Sequence, residues 1–318
     1  MSDAPKAKVV VRLAYDQRAD AAAVAVLRSL LEVIEGNREG AMSGADPEYL
    51  HQLRIAVRRS RTVQRQFKHV FPPFDLPGFR REFKWLQRAT GESRDLDVYL
   101  LGFDELRALV PEDMQDDLGP LRQVIGHWSL AAQGVMARAV ASRRTAELLG
   151  DWEMLLESLV QRPTDERRDA TLPIGELAGL RIRRVYKRMR KLGGRLDSDS
   201  PAVAFHELRK KGKELRYLLE LFGLQLHDHE VVSDLVSALK ELQDVLGRHQ
   251  DREVQIAMLR SLADEVAGLP RGPQAVLAMG VLIERLRADE REARREFAER
   301  FALLASSEHH DQVKATFA

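Results

Sequence analysis

One helical pattern occurs twice in this chain and limits what it can fold into. The stretch His51–Arg65, HQLRIAVRRSRTVQR, carries His51, Arg54, Arg58, Arg61 and Arg65. At 100° per residue these five side chains fall within an arc of roughly 80°. Leu53, Val57, Ser60, Gln64 and Phe67 take the opposite side. The stretch reads as a helix with a row of cations on one face and a packing surface on the other. The second copy, FHELRKKGKELRY, has His206, Arg209, Lys213 and Arg216 in the row, with Leu208, Gly212, Leu215, Leu219 and Phe222 on the packing side. The shared pattern is H-x2-R-x3-[RK]-x2-R. Like charges stacked along a helix repel one another, and a single basic face is most often merely solvated. Two such rows in one register point instead to an anionic ligand.

The repetition extends past these helices. KWLQRATGESRDLDV (Lys84–Val98) matches KELQDVLGRHQDREV (Lys240–Val254) at Lys84/Lys240, Leu86/Leu242, Gln87/Gln243, Gly91/Gly247 and Asp95/Asp251. The offset is 156 residues here and 155 between His51 and His206. A near-constant offset across two separate motifs reads as an internal duplication. Gly91 and Gly247 are expected to close helices, and Asp95 and Asp251 to cap the helices that follow.

Low aromatic content, 6%, with 31% charged residues favours helix over sheet. Net charge is only +1, so acids elsewhere offset the basic rows and the positive charge is local. The chain has no cysteine, which excludes disulfides and thiolate metal sites. The start, MSDAPKAKVV, lacks a signal-peptide core, and no apolar run approaches the ~20 residues of a membrane helix. A soluble cytoplasmic protein with no membrane contact is expected. Residues 1–16 read as an irregular lead-in, 17–160 as a first helical bundle, 161–173 as a polar linker, 174–305 as a second bundle and 306–318 as a frayed polar tail. Asp46-Pro47 marks the start of the first basic helix. A long helix is expected over Glu112–Leu149, and separate helices over Glu230–Leu246 and Asp251–Val266.

With both motifs in place, the chain resembles the CHAD family, the conserved histidine α-helical domain, from about residue 17 to 305. The resemblance rests on the two H-x2-R-x3-[RK] helices and the two LQ-x3-G-x2-[RQ]-D segments. It implies an all-α fold of two helical bundles related by a pseudo-twofold axis, with the basic helices lining a central basic surface. It also implies non-catalytic binding of inorganic polyphosphate and association with polyphosphate granules. Relatives are often fused to a CYTH triphosphatase domain, whose E-x-E-x-K strand does not occur here. By position the binding role falls on His51, Arg54, Arg58, Arg61, His206, Arg209, Lys213 and Arg216, joined by Lys84 and Lys240. Arg65 extends the first row, although the second copy has Glu220 there, and Arg59 faces Glu214 in the same alignment. Tyr217 lies close to the second row and offers a hydroxyl. Arg184 and Arg188, with Arg181, form a further row in RIRRVYKRMRK. Lys211 turns toward the packing side and is left out.

Polyphosphate has no bases to read, so it needs dense guanidinium and ammonium groups rather than a sequence-reading helix. An imidazole beside phosphate gains from protonation, so binding is expected to strengthen as pH falls from about 8 to 6. The alternatives are another polyanion, such as nucleic acid, or a polyphosphate-processing phosphohydrolase. Few aromatics lie near the rows for stacking bases. No phosphate-binding G-x4-G-K-[ST] loop occurs, nor a paired nucleophile and base. Glu48-x2-His51 looks like half of a di-iron motif, but Val203 stands where the second glutamate is needed. His227-Asp228-His229-Glu230 reads as an inter-helix turn. No metal or other cofactor is expected.

Overall fold

The structure is a computed structural model and describes residues 3–197 and 199–318. Among these residues it is all helix and turn, and the only β pairing is an isolated bridge between Arg18 and Pro173. Helix α1 (Ala19–Gly36) and the short α2 (Arg38–Ser43) precede the first basic helix, α3 (Pro47–Gln66). That helix starts as the sequence dictates: Pro47 occupies its first turn and the Asp46 carboxylate accepts from the Glu48 N–H at 2.8 Å. Helices α4 (Leu76–Ala89), α5 (Gly91–Leu101) and α6 (Phe103–Arg107) follow. The long helix expected over Glu112–Leu149 is in fact three pieces: a 3₁₀ stretch Glu112–Leu118, α7 (Gly119–Ala141) and α8 (Arg143–Ser158). Extended backbone at Ser142 ends α7, and its hydroxyl caps α8 by accepting from the Thr145 N–H.

The second half holds α9 (Ile174–Gly193) and the second basic helix, α10 (Ala202–Leu218). A π turn (Leu219–Gly223) and the single-turn α11 (Leu224–Leu226) lead into α12 (His229–Ala267) and α13 (Gly272–Leu304). The two helices expected over 230–266 are the one helix α12, which begins where Asp228 caps the Glu230 and Val231 N–H groups. It runs through Gly247 and Asp251 without a break. In the first half, α5 already begins at Gly91, so Asp95 also lies inside a helix. Gly91 follows the Thr90 cap that ends α4 and opens α5, whereas Gly247 marks no helix boundary, and neither aspartate caps a helix. Residues 306–318 are no frayed tail. Ser306 caps α14 (Ser307–Thr316), and Val313 and Phe317 are buried, Phe317 edge-on to the His227 ring at 4.7 Å.

Residues 161–173 stay non-helical after a 3₁₀ turn, but they are tied in. Arg167 is 2% exposed and reaches Asp20 at 3.4 Å, and Asp169 pairs with Arg181 at 2.6 Å. Packing does not divide there. Buried apolar side chains form two clusters, and each draws on both sides of this segment. The larger joins Val26, Phe67, Phe83 and Trp152 to Ile182, Phe205, Leu215 and Phe222. The smaller joins Leu96, Tyr99 and Ile125 of α5 and α7 to Leu259, Met279 and Leu282 of the α12–α13 hairpin. Truncating such a buried ring as Phe222 to alanine costs about 3–5 kcal/mol.

Candidate functional site

The packing faces of the two basic helices are buried as their spacing demands. Leu53, Val57, Ser60, Gln64 and Phe67 of α3 are each at most 1% exposed, and Leu208, Leu215, Leu219 and Phe222 are fully covered. Phe67 and Phe222 meet with ring centroids 4.8 Å apart. With those faces turned inward and the helices in contact, the cationic rows emerge side by side.

Three adjoining depressions result. Arg58, Arg61 and Arg65 of α3 line one of about 340 Å³ together with Gln87 of α4 and Lys210, Lys211, Lys213 and Tyr217 of α10. A second, of about 470 Å³, lies between Arg61 and Arg65 and the α4 residues Arg80, Arg81 and Lys84. The third, of about 440 Å³, runs from Arg65 and Arg80 past Lys68, His69 and Arg168 to Arg184 and Arg188 of α9. Arg65 borders all three.

The structure therefore brings together Arg58, Arg61, Arg65, Lys84, Arg184, Arg188, Lys213 and Tyr217. Arg54 sits behind this surface. It is 7% exposed and donates to the Gln87 carbonyl at 2.8 Å and the Thr90 hydroxyl at 2.9 Å. Burial, then the neighbouring Arg58, lowers its pKa to about 10, while Asp95 acts the other way. Arg209 takes the matching place in the second half, 3.7 Å from Asp251. Gly247 now has a reason. A Cβ at Gly247 would lie 3.3 Å from the Arg209 guanidinium, and one at Gly91 would lie 3.8 Å from that of Arg54. At Gly247 a side chain would press on the Arg209 guanidinium, a reason for glycine inside α12 despite its ~1 kcal/mol cost there; at Gly91, the first residue of α5, the contact with Arg54 is an ordinary one.

The histidines sit in different company. His51 is half-buried, and burial, then Arg94, lowers its pKa against the opposing pull of Glu48. The His206 Nδ1 is 2.6 Å from the Gln250 amide oxygen. Tyr217 is 5% exposed, and its ring packs against the guanidiniums of Arg59 and Arg216, 5.6 and 5.9 Å from its centroid. Arg216 also approaches Glu220 at 3.5 Å. Lys240 is exposed on α12 and lines none of the three depressions.

Ion pairs cross between the helices. Arg59 meets Glu220 at 2.5 Å and Arg65 meets Glu214 at 2.8 Å. These are the positions where the two sequence copies disagree, Arg59 aligning with Glu214 and Arg65 with Glu220. Glu214 also accepts from Gln66 and Lys211, so Lys211, assigned from its wheel position to the packing side, instead borders two depressions. Burial alone would raise the Glu214 pKa, but Arg65, Lys211 and Gln66 hold it below the usual carboxylate value. In contrast, Arg58 and Lys213 have no carboxylate within ion-pair distance among the described residues. Burial, followed by Arg209, Arg58 and Arg216, lowers the Lys213 pKa to about 7 against the opposing Asp251. Burial, then Arg65, Arg80 and Arg88, likewise lowers that of Arg61, which donates to Gln87.

Arg80, Arg81, Lys68, Arg168 and Lys210 were not singled out from sequence. Arg80 was open to detection, because it precedes Lys84 by one helical turn. Lys68 and Arg168 come from a turn and a loop, and no periodicity marks them. Among the described residues no group of acidic, histidine or cysteine side chains is placed to hold a metal ion, and no helix is long and apolar enough to cross a membrane.

The sequence model of the CHAD domain family matches residues 25–260. The chain is 26% identical over 224 residues to an uncharacterized protein of Mycobacterium tuberculosis, and it spans 42% of that relative's length. Its fold is similar to the crystal structure of the CHAD domain from the plant Ricinus communis, with a TM-score of 0.74, 26% identity, and 99% and 98% of the two chains covered. PptA from Streptomyces chartreusis shares the fold at a TM-score of 0.68 and 17% identity, over 89% of this chain and 99% of that one.

Proposed function

This chain belongs to the CHAD domain family, and from that premise we propose that it binds inorganic polyphosphate without cleaving it. The observation that carries the reading is that Arg58, Arg61 and Arg65 of the first cationic row and Lys213 of the second, some 155 residues apart in sequence, line one depression together with Lys210 and Lys211. Cations placed there lower one another's pKa, which is a standing cost in the free protein. A polyanion lying along the surface reverses the sign of that interaction. We take the three depressions as one basic groove, continuous at Arg65. Guanidiniums offer forked donors to phosphate oxygens and lysines offer point charges. Tyr217 is the aromatic bordering the depression shared by the two helices, and its ring is already engaged by two arginines. This favours a polymer of bare phosphate over one with bases to stack. By the same reading, the protein associates with polyphosphate granules.

The test is a competition among long-chain polyphosphate, DNA and orthophosphate at matched ionic strength, with product analysis. Polyphosphate should bind most tightly, remain intact and lose affinity steeply as salt rises. Tighter binding of DNA, or metal-dependent release of phosphate, would sink the proposal.

A further inference from the structure

We propose that Lys213 is a covalent modification site, acylated by acyl phosphates whose phosphate group docks on Arg58 and its neighbours in the same depression. Lys213 stands apart from the lysines beside it. Lys210 pairs with Glu207 and Lys211 with Glu214. Lys213 has no such partner among the described residues. It faces Arg209 and Arg216 on α10, Arg58 on α3 and, opposing them, Asp251 on α12. Its depression also holds Arg61 and Arg65 and, of opposite charge, Glu207 and Glu214, which pair with Lys210 and with Arg65 and Lys211. A lysine desolvated next to other cations is the arrangement that makes an amine nucleophilic near neutral pH. Here it lies among guanidiniums that recognise phosphate. A ligand joining a phosphate to an electrophilic carbonyl satisfies both features, and an acyl phosphate is that ligand.

The chemistry balances. The neutral Lys213 Nζ lone pair attacks the carbonyl carbon and forms the N–C bond. The carbon–oxygen bond to phosphate breaks, and orthophosphate leaves with the electron pair. The proton lost from nitrogen goes to the departing phosphate. The product is a neutral amide, which can no longer take up a proton beside a bound anion. That last consequence rests on the binding reading above, whereas the acylation itself does not.

The full-length protein would be incubated with acetyl phosphate at pH 7.5 and each lysine followed by mass spectrometry. At that pH Lys213 has a neutral fraction several hundred times that of an ordinary lysine. The weaker nucleophilicity of a less basic amine takes back most of this, leaving about tenfold. Lys213 should therefore react about tenfold faster than exposed Lys187. The rate should level off above a midpoint near 7, and orthophosphate should suppress it. Arg58→Gln should slow the reaction at Lys213 alone, and if that variant fails to fold, orthophosphate protection of the wild type decides. Pretreatment should weaken polyphosphate binding in the wild type but not in Lys213→Arg. Equal rates at Lys213 and Lys187, or selectivity indifferent to orthophosphate, would overturn the inference. Selective acylation in a protein that binds no polyphosphate would leave it standing and remove the proposed function. Polyphosphate binding with no preference for Lys213 would do the reverse.

Discussion

Helices α3 and α10 carry one pattern, yet they solve its electrostatic problem differently. Each sets an arginine against a glycine of the following motif, the buried Arg54 beside Gly91 and the partly exposed Arg209 beside Gly247. Along the contact between them the copies diverge. α3 has arginine at 59 and 65 where α10 and the π turn that continues it have glutamate at 214 and 220, and the pairs form crosswise, Arg59 to Glu220 and Arg65 to Glu214. A pseudo-twofold axis between the helices would produce that crossing, because each position then meets the partner of the other. Two identical copies would set Arg59 against an arginine at 220 and Arg65 against one at 214. Glutamate at these two positions makes both contacts ion pairs, while Arg58 and Lys213 have no carboxylate within ion-pair distance among the described residues.

The strongest way to break this comparison is to restore symmetry. Glu214→Arg with Glu220→Arg makes α10 match α3 at both positions. Glu214 is 3% exposed, so the double variant loses a buried acid and gains a buried base among Arg65, Gln66 and Lys211. Breaking one such pair costs about 3–5 kcal/mol, so the double variant should be largely unfolded in mild urea. Adding Arg59→Glu and Arg65→Glu restores opposite charges and should recover much of the loss. No recovery in the quadruple variant would mean the crossing pairs do not govern how the helices meet.

What could be read in advance follows from where the information sits. The α3 start at Asp46-Pro47, the buried faces of both basic helices and the cationic rows are local patterns, and the structure follows them. Gly247 misled, because a close approach by a distant guanidinium leaves the same residue as a helix end. Val313 and Phe317 lie one turn apart in a polar segment, a weak sign of helix that gained meaning only from the pocket His227 helps form. Arg59 and Arg65 were seen as mismatches in the repeat. Sequence alone could not show that the mismatches face each other.

A milder perturbation sharpens the same point. Glu214→Gln keeps the shape but removes the charge, and it should lower stability by about 1–3 kcal/mol at pH 7. The Glu214 pKa is depressed by its cationic partners. Its contribution is therefore complete above the unfolded-state value and is lost as pH falls through the lower folded value. Urea midpoints of the wild type and the variant should converge below about pH 4. A gap that persists in acid would show that Glu214 acts through packing rather than charge.

The smallest expected effect compares the counterparts Arg58 and Lys213. A guanidinium keeps its charge where an amine can lose it, and Lys213 is lowered to about 7. Its folded pKa lies below the unfolded value of about 10.4, so the folded state holds fewer protons across that window. Its contribution to stability therefore rises with pH from about 7 to 10, and Lys213→Met should flatten that slope. Ligand binding has the opposite sign. A phosphate beside Lys213 raises its pKa, so binding takes up a proton and strengthens as pH falls from 8 to 6. A single group limits the gain to about tenfold per pH unit. His51, also lowered, adds to the lower end of that range. Lys213→Arg should hold affinity nearly constant from pH 8 to 7 and keep a residual rise below 7. Replacing both His51 and His206 with Gln should do the opposite, preserving the upper part of the rise. Isothermal titration in buffers of different ionisation enthalpy counts the protons directly. If the double histidine variant loses the whole dependence and Lys213→Arg keeps it, the two halves do not differ in the way Arg58 and Lys213 imply.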